Sequence, residues 1–185
     1  MSFKLKKGFT LIELLIVIAI LGTLAVVVLI ALNPVQQLAR TRDAGRRSTV
    51  SQLGHAVEAR ATGNNGVYVT AAAAWVTGLV NAGEIASVPQ NPTYSAPGVG
   101  SHPQGADCSV NAEGDFCYST SAAPASRAIV FARLESAAEN EKCGASQAAW
   151  AVYSTANSGA GIFCNDGSAP AVPGVGGYTG STWIQ

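Results

Sequence analysis

The sequence predicts an α+β fold in which a long N-terminal helix, its first part membrane-spanning, packs against a small antiparallel β-sheet head. Three observations predict it. An apolar run extends from Phe9 to Leu32, interrupted by one acidic residue, Glu13. Helical spacing then continues to Thr62 before Gly63-Asn64-Asn65-Gly66 stops it. Four short aromatic- or β-branched-rich segments follow, each bounded by Gly, Asn, Ser or Pro, as antiparallel strands are.

The apolar run accounts for the membrane part. Its 24 positions, 9–32, reach about 36 Å as a helix, against a hydrocarbon core of roughly 30 Å. Ahead of it stand Lys4, Lys6 and Lys7 in a short stretch with no apolar core of its own. A secretory signal would be cut after its apolar run, but Ala31-Leu32-Asn33-Pro34 matches a small-residue cleavage site poorly. Cleavage before the run, at Gly8-Phe9, would instead leave the span in the mature chain. The lysines should stay cytoplasmic and send the rest outward, although the basic stretch 40–47 competes with that tendency. Glu13 is the anomaly. A lone carboxylate in a bilayer costs on the order of 2–4 kcal/mol and calls for a partner.

Beyond the run, Val35, Leu38, Val50, Leu53, Ala56, Val57 and Ala61 recur at helical spacings. Asp43 and Arg47 stand four apart, the geometry of a weak ion pair. One long, interrupted helix over 10–62 is expected. Its weak points are Gly22-Thr23 and Pro34; Asn33-Pro34 also has the pattern of an N-cap and first-turn proline. A kink or unwound turn is expected between Gly22 and Pro34, in a helix that otherwise continues.

The head begins with a short helix over 70–80 carrying Trp75 and Leu79 on one face, then a Pro/Gly/Ser-rich loop to Gly105. Strands are expected at 116–120, 128–134, 149–154 and 161–164, in a meander with one face on the outer half of the long helix. The last residues, 165–185, are Gly/Pro-rich, with Tyr178, Trp183 and Ile184 as candidate anchors. The chain thus divides into a leader (1–8), a span (9–32), an amphipathic continuation (33–62), a head (63–164) and a tail (165–185).

Net charge is zero but unevenly spread: residues 1–60 sum to +5 and the remaining 125 to −5. A basic stalk on an acidic head suggests attraction between neighbouring copies. Arg40, Arg42, Arg46 and Arg47 could contact DNA, but a solvated or subunit-facing helix surface explains them more simply. Cys108, Cys117, Cys143 and Cys164 lie in the acidic part with no Cys-x-x-Cys pair, which reads as disulfides formed in an oxidising compartment. Three pairings are possible; Cys108 with Cys117 and Cys143 with Cys164 is favoured, since each would staple a local loop. Asp107, Glu113 and Asp115 lack EF-hand spacing and read as a solvated acidic loop. His55 and His102 read as structural or solvent-facing residues. No Gly-x-Ser-x-Gly elbow or phosphate-cradling loop is present, so neither an enzyme nor a cofactor is expected.

The stretch Lys6-Lys7-Gly8-Phe9-Thr10-Leu11-Ile12-Glu13-Leu14 resembles the prepilin-type cleavage and methylation motif, and the chain resembles type IV pilins and the pseudopilins of type II secretion. That resemblance implies a pilin-like fold and cleavage after Gly8 by a membrane prepilin peptidase, which would also methylate the new amine of Phe9. It further implies that Glu13 pairs with the N-terminal amine of a neighbouring subunit, and that the apolar helices form the core of a filament built by pilus or secretion machinery. The implied location is the bacterial cytoplasmic membrane, with lipid around the helix, and then an extracellular or periplasmic filament. Three functions follow. The chain is a pilus subunit serving adhesion, motility or DNA uptake, a secretion pseudopilin, or a membrane-anchored binding domain that does not polymerise.

Overall fold

The computed structural model describes residues 8–90, 92, 112–113, 116–122, 125–144, 147–166, 168–178 and 182–184. The chain divides into two compact units, one ending at Gln37 and the other beginning at Leu38.

In the first unit, helix α1 runs over Leu11–Leu32 with none of its residues buried. It is apolar on every side, which suits a segment surrounded by hydrocarbon rather than one half-buried in a protein core. Among the described residues it alone is long and apolar enough to cross a membrane. Gly22 does not interrupt it, and the Thr23 hydroxyl donates to the carbonyl of Ile20 (2.9 Å), so that polar group is satisfied inside the helix. The break comes instead at Asn33, whose left-handed backbone (φ 41°, ψ 74°) ends α1. The expected interruption is therefore real but more abrupt than a kink. Asn33 also opens the next helix, because its carbonyl accepts from the amides of Gln36 (3.0 Å) and Gln37 (3.3 Å). Pro34, which lacks an amide proton, takes the first position.

Helix α2 (Pro34–Thr62) turns one face inward from Ala39 onward: Ala39, Val50, Leu53, Ala56, Val57 and Ala61 are buried. A Schellman-like turn closes it, with the amide of Gly66 donating to the carbonyl of Ala61 (2.9 Å) and Gly66 at φ 77°. Helix α3 (Trp75–Asn81) follows, later than the expected start at residue 70. The sheet is a six-stranded antiparallel meander in sequential order. Its strands are β1 (Ala112–Glu113), β2 (Phe116–Thr120), β3 (Ala128–Arg133), β4 (Ala148–Ser154), β5 (Gly159–Asn165) and β6 (Trp183–Ile184), with a one-turn helix α4 (Ala137–Asn140) between β3 and β4. The four expected strands are the four central ones; the two-residue edge strands are too short to leave a pattern.

Both sheet faces are covered. One packs Tyr118, Val130, Ala132, Ala149, Ala151 and Tyr153 with Leu53 and Val57 of α2 and Trp75 and Leu79 of α3. The other face holds Ile129, Phe131, Trp150 and Val152, and the C-terminal segment closes it with Ala169, Val172, Tyr178 and Trp183. The anchoring works through rings: Tyr178 lies 4.5 Å from Phe163 and 5.2 Å from Trp183, centroid to centroid. Asn157 holds the segment by its side chain, accepting from the amide of Tyr178 (2.8 Å) and donating to its carbonyl (3.0 Å).

The arginine stripe requires correction. Arg46 is fully buried, and Arg42 is only partly exposed. Arg46 donates to Asp43 (2.8 Å), to Glu135 (2.9 Å) and to the carbonyl of Pro92 (2.7 Å), and Arg42 also binds Glu135. Glu135 draws the Arg42 guanidinium's pKa upward by hydrogen bond and charge. Asp43 pairs with Arg46 rather than Arg47, whose guanidinium lies 3.5 Å from Glu139. Much of the attraction between stalk and head is thus used within one chain. Only part of the stripe is free to meet solvent or DNA.

The Cys143 to Cys164 disulfide is formed, joining the α4–β4 connection to β5. Cys117 is also disulfide-bonded; Cys108, its expected partner, lies outside the described residues, as do His102, Asp107 and Asp115. Glu113 is not a free loop carboxylate. It accepts from the amides of Val76 (2.6 Å) and Thr77 (2.9 Å) and from the Thr77 hydroxyl, capping α3 from the sheet edge.

Candidate functional site

The residues singled out by the N-terminal motif lie where extended chain becomes helix. Gly8, Phe9 and Thr10 are outside any regular element, and helix α1 starts at Leu11. Phe9 is 81 % exposed. A bond outside a helix suits a peptidase, because a helical one must first be unwound.

Glu13 occupies the third helical position, and its carboxylate turns back on the residue before the helix. Its Oε2 accepts from the amide of Thr10 (2.8 Å) and from the Thr10 hydroxyl (2.7 Å). The same hydroxyl accepts from the amide of Glu13 (3.3 Å). Thr10, at φ −81° and ψ 149°, is the N-cap, and the two side chains make a reciprocal capping box. The arrangement satisfies two amides that the helix leaves unpaired and gives the carboxylate local hydrogen bonds and the favourable end of the helix dipole. Thr10 is the partner of Glu13 that the motif reading missed. The signal was present as Thr-x-x-Glu directly ahead of an apolar run.

Residues 3–29 match the family model for the prokaryotic N-terminal methylation motif. The chain carries a prepilin-type signal. No curated protein and no solved structure matches the chain. The prepilin-type signal supports a precursor of the type IV pilin or pseudopilin kind, and implies processing by a prepilin peptidase and assembly into filaments. Together with the single apolar helix α1, it suggests membrane anchoring before assembly.

The remaining candidates belong to the head. His55 is exposed, and its Nδ1 lies 3.2 Å from the hydroxyl of Tyr153, which donates to Glu58 (2.7 Å). Burial, and then the Glu58 carboxylate, push the Tyr153 phenol well above its ordinary pKa. Tyr118 and Tyr178 are raised chiefly by burial. These groups stay protonated and hold the fold. Trp75 and Trp150 are core residues, Trp75 stacked on Tyr118 at 4.7 Å and Trp150 edge-on to Phe131 at 5.9 Å.

Proposed function

We propose that the chain is the precursor of a structural subunit of a type IV pilus. A prepilin peptidase would cut after Gly8 and methylate the amine of Phe9. The helix beginning at Leu11 would serve first as membrane anchor, with the head outside, and then as filament core. Glu13 would pair with the Phe9 amine of a neighbouring copy. The observation that carries the proposal is the exposed Gly8/Phe9 junction set immediately before a 22-residue apolar helix with no buried residue. In water that helix would expose a continuous apolar surface, so it needs lipid or other copies of itself. A carboxylate at its head is tolerable in lipid when neutralised, and neutralisation by a second subunit favours assembly. The stapled, two-faced core of the head suits a fibre that works outside the cell.

Mass spectrometry of the mature chain tests the processing step. The expected result is a chain beginning at N-methyl-Phe9; a chain retaining Met1 would overturn it. Filament yield tests the role of Glu13: Glu13→Ala should abolish or strongly reduce fibres, whereas a membrane-anchored domain that does not polymerise would be indifferent. Imaging of cells separates the two filament functions, since a pilus subunit gives surface fibres and a secretion pseudopilin a short periplasmic one.

A further inference from the structure

Three side chains where α2 meets β4 fix the place of a proton. The Tyr153 hydroxyl has a single proton, and it donates that proton to Oε2 of Glu58 at 2.7 Å, since a carboxylate can only accept. The same hydroxyl oxygen lies 3.2 Å from Nδ1 of His55. With the phenol's proton already committed, that contact is a hydrogen bond only if Nδ1 is the donor. A bare Nδ1 would set lone pair against lone pair. Burial and the bond to Glu58 both keep the phenol protonated. Helix α2 presents His55 and Glu58, three positions apart on one face, to a single phenol because Gly54 lets the helix rest against the tyrosine ring.

A neutral imidazole carries one N–H, so its other nitrogen then holds a lone pair. His55 is exposed, and among the described residues no group meets its Nε2. We infer that Glu58, acting through Tyr153, holds His55 in the Nδ1–H form, which makes Nε2 a nucleophilic modification site on the head for an acylating electrophile. In a free histidine side chain the Nε2–H form predominates, so the fold reverses the ordinary choice. Glu58 is a positioning residue, joined to the imidazole only by way of the phenol. In the acylation, Nε2 attacks a carbonyl carbon of the electrophile, the acyl–oxygen bond breaks and the leaving group departs with the electron pair. The imidazole then gives up its Nδ1 proton to water. Nδ1 becomes an acceptor, and the phenol can donate to it or to Glu58 but not to both. Modification of His55 is thereby felt at the contact between α2 and β4. The inference concerns the single chain and stands whether or not it forms filaments.

Nitrogen-15 spectra of the full chain in detergent micelles test where the proton sits, in a His102→Ala background that leaves His55 as the one histidine. At about pH 8, above the ordinary histidine range, Nδ1 should carry the proton and Nε2 should not. Glu58→Ala releases the phenol's proton to Nδ1, and the spectrum should change to that of the Nε2–H form. Should Glu58→Ala fail to fold, Tyr153→Phe removes the acceptor of the Nδ1 proton and should produce the same change. A bare Nδ1 before either substitution would overturn the inference, as would an Nδ1–H form that persists in a folded variant. Diethyl pyrocarbonate probes the nucleophile. Mass spectrometry should find the ethoxycarbonyl group on His55 forming about fivefold faster than in Glu58→Ala, the factor that one hydrogen bond of ordinary net strength supplies. Equal rates would overturn the assignment of Nε2 as a site that Glu58 sets.

Discussion

Gly54 lies under the ring of Tyr153 with no room for a side chain: a Cβ at this position would sit 2.1 Å from Cγ and 2.3 Å from Cδ1 of the tyrosine. The glycine lets α2 approach β4 closely enough for the Tyr153 hydroxyl to reach Glu58 one turn further along the helix. Two effects of Gly54→Ala oppose each other. Helix propensity alone would stabilise by about 1 kcal/mol. Overpacking against a buried ring costs about 1–3 kcal/mol and sometimes more, and at 2.1 Å the clash should win. Denaturant unfolding of the Gly54→Ala chain should show a net loss of about 1–2 kcal/mol; a gain would mean that the ring swings aside freely.

Alkaline pH should unfold the head by way of its tyrosines. Tyr68, Tyr118, Tyr153 and Tyr178 all have pKa values raised by burial, and the Glu58 carboxylate adds to the rise at Tyr153. The folded pKa lies above the unfolded value of about 10. Each group's contribution is therefore fully present below about pH 10 and is lost as pH climbs from there toward the folded pKa. Denaturant midpoints should be flat from about pH 7 to 9 and fall above about pH 10, with tyrosinate absorbance rising in step with unfolding. In Tyr153→Phe the fall should be shallower.

These two expectations rest on contacts that the sequence does not reveal, and the difference between what it reveals and what it hides is physical. Periodicity records burial, so β2 to β5 and the inward face of α2 were legible: apolar residues alternate or recur every third or fourth position. The prepilin-type signal was legible because its chemistry is local, running over a few consecutive residues from Gly8 to Glu13. Arg42 and Arg46 misled because a charge on a helix is normally solvated. Their partner, Glu135, is 89 residues further on from Arg46 and leaves no trace near them. Glu113 misled for the same reason, its role as the cap of α3 lying 37 residues away at Val76. The break at Asn33 was half-legible: the sequence showed the N-cap and proline but not that the asparagine would turn left-handed.

The Cys143 to Cys164 disulfide encloses β4 and its hairpin with β5, at a sequence separation of 21. Closing a loop of that size restricts the unfolded chain and contributes about 3 kcal/mol. The double replacement Cys143→Ser/Cys164→Ser should lower the unfolding free energy by that order, measured against the oxidised chain in detergent. A change below about 0.5 kcal/mol would indicate that the sheet alone sets the stability of the region.

Three residues before Cys164 on the same strand β5, Gly161 makes room for the last strand. A Cβ there would lie 2.6 Å from the Trp183 ring and 2.8 Å from the carbonyl of Ile184. Among the described residues, strand β6 has two residue pairs with β5, Ile162 with Ile184 and Phe163 with Trp183, a short seam that absorbs little displacement. Gly161→Val should expel β6 and cost about 1–3 kcal/mol. Trp183 would become solvent-exposed, read as a red shift of tryptophan fluorescence and as carboxypeptidase trimming of the last residues. Strands β2 to β4 should keep their amide protection; if they lose it too, β6 is part of the core rather than its cover.

The capping box gives a prediction that separates helix initiation from subunit pairing. Thr10→Val keeps the shape of the side chain but removes the hydroxyl that donates to Glu13 and accepts from its amide. Loss of an N-cap costs about 1 kcal/mol, concentrated in the first turn. Amides 11–14 should exchange several-fold faster in micelles, while those beyond Gly22 should be unchanged. Thr10→Ser restores the hydroxyl and should restore protection. Glu13→Gln retains a carbonyl oxygen that can accept from the Thr10 amide, so it should fray the helix less than Thr10→Val does. If Glu13 also pairs with a neighbouring Phe9 amine, Glu13→Gln should nevertheless lower filament yield more than Thr10→Val. The reverse order would assign Glu13 to starting the helix and remove the case for a charge pair between subunits.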